Sequence, residues 1–82
     1  MVKLMKGYEG IVFLVPKEKI LGMKSLASHS NGDILNIQPT ENGYKIEAVF
    51  PSYMGELTME KALNNGYALY AYKINDKLDY VV

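Results

Sequence analysis

Three Asn-Gly dipeptides, at 31–32, 42–43 and 65–66, each stand directly before a run of alternating apolar, β-branched or aromatic residues. Asn and Gly accept positive φ at little cost, so each pair marks a point where the chain reverses or leaves an element. A fourth turn, Asn75-Asp76, separates the run ending at Ile74 from the run 77 to 82. A chain punctuated this often is limited to short strands and short helices. It predicts a small α+β domain over residues 1 to 82 with an antiparallel sheet of four to six strands and one or two short helices.

The runs between the turns give the element order. Residues 9 to 15 carry apolar groups on both faces, Ile11, Phe13 and Val15 against Val12 and Leu14, which predicts a strand covered on both sides. Residues 2 to 5 suggest a short partner strand. For 17 to 28, Ile20, Met23 and Ala27 form a helical stripe behind Pro16, so helix is the favoured reading, with a strand as the alternative. Ser25, Ser28, His29, Ser30, Asn31 and Gly32 read as loop chemistry in either case. Residues 33 to 38 and 44 to 50 read as a hairpin around Pro39-Thr40-Glu41-Asn42-Gly43, closed by Pro51. Residues 52 to 57 read as an irregular loop, and 58 to 65 as a helix with Thr58 at its N-cap and Gly66 at its exit. Residues 67 to 74 read as a second two-sided strand, and 77 to 82 as a last, one-sided one. The order strand, helix, strand, strand, helix, strand matches a ferredoxin-like split βαβ arrangement. An extended segment 17 to 28 would instead give a mostly-β meander or small barrel.

Composition then narrows the chemistry. There is no cysteine, which removes disulfides, thiolate nucleophiles and Cys-based zinc sites. The formal net charge is zero, and every basic residue is lysine. Arginine is the usual reader of guanine edges and the planar grip on phosphate, so nucleic acid is an unfavoured partner. No apolar run approaches the ~20 residues of a membrane span, and Pro16-Lys17-Glu18-Lys19 stands where a signal peptide would need small residues. A cytoplasmic protein with no membrane partner is expected.

Catalytic and metal motifs are not recognisable. His29 is the single histidine, and its serine neighbours lack the Gly-x-Ser-x-Gly turn that exposes a nucleophile. The carboxylates Asp33, Glu41, Glu56, Glu60, Asp76 and Asp79 do not form a calcium loop, and the glycines do not form a phosphate cradle. The reading is therefore not an enzyme, with no cofactor and no metal.

Seven tyrosines remain as the distinctive feature. Tyr70 and Tyr72 stand at i, i+2 on one strand face, and Tyr53 stands beside Met54, supplying rigid amphipathic surface of the kind protein interfaces use. These four are the expected partner-binding residues. The sequence thus predicts a non-catalytic protein-binding module that self-associates as a homo-oligomer, with an accessory or inhibitory role in a mobile element suiting its size. The alternative is a small-ligand or single-stranded nucleic-acid binder that stacks on the tyrosines.

Overall fold

β-Branched and aromatic residues on either side of Asn42-Gly43 pair as expected, and the other strands add to that hairpin. The computed structural model describes residues 7 to 74. Along them lie β1 (Tyr8–Pro16), a 3-10 turn (Lys17–Lys19), α1 (Ile20–His29), β2 (Asp33–Pro39), β3 (Gly43–Pro51), α2 (Ser52–Asn64) and β4 (Tyr70–Ile74). The strands form one four-stranded sheet in the order β2-β3-β1-β4, and all neighbours are antiparallel. β1 and β2 therefore run parallel, with β3 between them and α1 as the crossover. This is the split βαβ order. The strands expected over 2 to 5 and 77 to 82, and the turn at Asn75-Asp76, lie outside the described residues.

One sheet face carries both helices. Ile11, Phe13 and Val15 of β1 share it with Ile46, Ala48 and Phe50 of β3, and Met23 and Ala27 of α1 and Ala62 of α2 close over them. Phe13 and Phe50 meet edge to face at 6.0 Å between centroids, the arrangement their ring quadrupoles favour. Removing a side chain such as these from water is worth roughly 1.5–3 kcal/mol each. β1 is buried on both faces as its sequence predicts, because Val12, on the face away from the helices, is as inaccessible as Ile11 and Phe13. On β3 Val49 is buried on that same face, beside Gly10 of β1.

The helices begin and end where packing, more than propensity, sets them. α1 runs through His29, so Ser25, Ser28 and His29 are helical and only the residues from Ser30 to Gly32 form the turn. Gly22 is the helix-weakening residue inside it. A Cβ there would stand 2.7 Å from the Tyr67 ring, so the glycine is a seat for that ring.

α2 starts at Ser52 directly after Pro51, six residues before the expected N-cap. The residues 52 to 57 are helical and not an irregular loop. Gly55 made them read as a loop, but it is buried against the Glu9 carboxylate, which occupies the space a Cβ would fill. Tertiary contact outweighs a propensity cost of about 1 kcal/mol. Thr58 is accordingly not a cap. It is fully buried within α2, and its hydroxyl donates to the Met54 carbonyl one turn back at 2.7 Å.

Gly66 ends α2 with φ 74°, the left-handed exit the sequence predicts. The following residues are not yet a strand. Tyr67 N and Ala68 N both donate to Ala62 O, at 2.9 and 3.1 Å, and Leu69 N donates to Leu14 O at 2.8 Å. The strand expected from 67 therefore starts at Tyr70, and Ala68 turns into the core. Among the described residues β4 is the outermost strand on its side of the sheet.

The β2–β3 hairpin holds as expected, with Thr40, Glu41 and Asn42 between the strands and Thr40 N donating to Gly43 O at 2.8 Å. Its glycine serves a different purpose from the one the dipeptide suggests. Neither Asn42 nor Gly43 has positive φ. Gly43 is required because a Cβ would run into the Val15 carbonyl of the neighbouring strand. At the other pair, Asn31 itself takes the left-handed conformation, φ 61°, and Gly32 packs against the Phe50 ring.

Candidate functional site

Strand alternation places Tyr70, Tyr72 and Ile74 on the sheet face away from the helices, because they pair with Leu14, Val12 and Gly10 of β1. The two tyrosine rings lie side by side, 5.5 Å between centroids and tilted by 42°. Both are accessible, 55% for Tyr70 and 39% for Tyr72. Leu69, just before the strand, is 72% exposed. Beside it a shallow groove of about 220 Å³ opens between Leu14, Leu69 and the hairpin residues Thr40, Asn42 and Tyr44. The sequence pointed to the tyrosines but not to Leu69 or Leu14. Leu69 lies outside β4, which starts at Tyr70, so strand alternation does not assign it a face.

Further across the same face the side chains turn polar and mixed in charge. Lys45 of β3 lies opposite Leu14 and Gln38, and Glu47 lies opposite Val12 and Asn36. The Asn36 amide donates to Glu47 at 3.1 Å. A positively charged track for a phosphate backbone is not what these residues form.

Tyr53 and Met54 do not join this surface. They occupy the first turn of α2, which packs on the opposite sheet face, and Tyr53 points outward with 75% exposure while Met54 is half-buried. An exposed apolar residue, Leu57, follows Tyr53 one turn on. The expected partner-binding residues thus fall into two groups separated by the sheet.

Behind the tyrosines β4 is tied down by charge. Lys73 faces the helix side, opposite Ile11. Its ammonium donates to Glu56 of α2 at 3.0 Å and lies 3.6 Å from Glu9 of β1. The hydrogen bond to Glu56, and then the charge of Glu9, hold the Lys73 pKa above its ordinary value. Glu9 Oε2 takes part in this link, whereas Oε1 is buried without a hydrogen-bond partner among the described residues. One lysine thus joins three elements at the end of the sheet where β1 begins.

His29 is an exposed residue at the end of α1. Among the described residues no group of three or more His, Cys, Asp or Glu is placed to hold a metal ion. No helix among them is long and apolar enough to cross a membrane. The chain matches no protein-family model and no curated protein.

Proposed function

We propose that this protein is a non-catalytic binding module that docks onto another protein, and onto a second copy of itself, through the β4 surface formed by Tyr70, Tyr72 and Leu69. The observation that carries the reading is the tyrosine pair: two rings in contact, both accessible, on a strand whose other face is anchored to β1 and α2. Rigid aromatic groups lose little side-chain entropy on binding, and exposed Tyr and Leu side by side supply apolar area that a partner can cover. The mixed charge on the rest of the face favours a protein over a polyanion. An accessory or inhibitory role, in which occupancy of a partner is the whole activity, suits a module of this size.

Sedimentation equilibrium at micromolar concentrations tests the self-association. Wild type is expected to form dimers that Tyr70→Ala with Tyr72→Ala removes, while the variant keeps the circular dichroism of the folded sheet because neither ring belongs to the core cluster. Wild type that remains monomeric throughout the range refutes self-association. For a heterologous partner, pull-down with wild type and with the double variant is compared, and equal recovery takes these tyrosines out of the interface. Binding that instead tracks single-stranded oligonucleotide and falls steeply with salt returns the stacking alternative.

A further inference from the structure

Strand register lays out the sheet face away from the helices as a grid. One row across the strands reads Gln38 of β2, Lys45 of β3, Leu14 of β1 and Tyr70 of β4, and another reads Asn36, Glu47, Val12 and Tyr72. The row between them, Ile37, Ile46, Phe13 and Ala71, belongs to the helix side and its core. Where one outward row has Lys45 the other has Glu47, and where one has Tyr70 the other has Tyr72. Lys45 and Glu47 are half-buried, neither is in an ion pair among the described residues, and both tyrosines are accessible.

This layout is complementary to itself. Let two copies pack face to face, with a two-fold axis running across the strands at the level of Phe13. The axis exchanges the two outward rows. Each Lys45 then lies over the second copy's Glu47, and each Tyr70 over the second copy's Tyr72. An isologous interface repeats every contact of i with j as j with i, so one ion pair becomes two. Packed sheets sit about 10 Å apart with strand directions within about 30°. A lysine and a glutamate together span that gap, and tyrosine rings meeting across it can take up offset or edge-to-face contacts. An axis along the strands, between β3 and β1, would instead put Lys45 over Leu14 and Tyr70 over Gln38. That arrangement buries a charge without a partner, which is costly. The zero formal net charge of the chain removes any general repulsion between copies.

We infer that two copies of this chain pack sheet face on sheet face with antiparallel strands, held in register by reciprocal Lys45–Glu47 ion pairs beside the clustered Tyr70 and Tyr72. The inference rests on the self-association proposed above, and adds to it an orientation and a second strand, β3.

Sedimentation equilibrium of charge-reversed variants provides the test. Lys45→Glu and Glu47→Lys each turn two attractive pairs into two repulsive ones, and each alone is expected to dimerise at least about tenfold more weakly than wild type. An equimolar mixture of the two variants recovers dimers, because in the mixed pair every position 45 again faces the opposite charge at position 47. Lys45→Glu combined with Glu47→Lys in one chain recovers them as well. Neither residue belongs to the core cluster, and circular dichroism checks that each variant is folded. Should a reversal lose the fold, Lys45→Gln with Glu47→Gln gives a second measurement, since its dimer is expected to lose the salt dependence of wild type. A monomeric wild type refutes self-association and this inference with it. A wild-type dimer that is lost in Tyr70→Ala with Tyr72→Ala, yet kept in both reversals, leaves the tyrosine surface standing and overturns the charge register. A mixture that stays monomeric although both variants are folded overturns it too, as does undiminished salt dependence in the glutamine pair.

Discussion

Gly43 and Gly55 are both glycines against which another group is pressed, yet those groups differ in how far they can yield. At Gly43 the neighbour is the Val15 main-chain carbonyl, held in the centre of the sheet. Gly43→Ala is therefore expected to cost about 1–3 kcal/mol, as overpacking does where backbone must move, read as a lower urea midpoint with an unchanged slope. At Gly55 the neighbour is the end of the Glu9 side chain, which can swing toward solvent. Gly55→Ala loses that contact but gains about 1 kcal/mol of helix propensity. In a Glu9→Ala background the clash is gone, so Gly55→Ala becomes stabilising, and the two substitutions are coupled in a double-mutant cycle. Strict additivity of the pair would show that Gly55 is not there to admit the carboxylate. Residues of this kind are only half legible in sequence. Asn42-Gly43 announces a turn, but the reason for its glycine lies in a strand nearly thirty residues earlier in the chain.

Among the elements, β4 depends most visibly on a single side chain. Lys73 ties it to Glu56 of α2 and Glu9 of β1, and that link has a definite pH signature. The pKa of Lys73 is raised in the folded chain, so its contribution is fully present below the ordinary lysine value and is lost as pH rises through the raised one. The ammonium is exposed, so solvent screens the effect and keeps it small. Lys73→Met is expected to lower the urea midpoint at neutral pH, with the gap to wild type closing in strongly alkaline solution. A gap that stays constant across that range would mean the lysine acts through its packed methylenes and not through its charge. Element types were readable from periodicity in β1, α1, β2 and β3. The start of α2 and the start of β4 were not, because Gly55 and the residues 67 to 69 follow contacts with Glu9, Ala62 and Leu14 that no local pattern encodes.

For the molecule as a whole, the sheet order puts the tyrosine pair and the helices on opposite faces, so an interface at β4 can be altered without touching the core. The dimer expected of wild type, and its loss in the Tyr70→Ala, Tyr72→Ala variant without loss of the fold, belong to this scale. Of the candidate surface, the pairing of Tyr70 with Tyr72 was legible in advance, because a strand repeats every two residues and the spacing alone puts them on one face. The sequence also placed Tyr53 and Met54 in the same functional set, and the sheet lies between them and the β4 tyrosines. Local pattern favoured the α+β class over a mostly-β meander, gave the element order and most of the turns, and composition excluded cysteine chemistry, since these rest on residue types and on neighbours within a few residues. Which glycines are seats for other groups, where α2 and β4 begin, and the groove that Leu69 and Leu14 share beside the hairpin came from the folded chain. Each of those depends on contact between segments far apart in the chain, and a local pattern carries no record of what will be pressed against it.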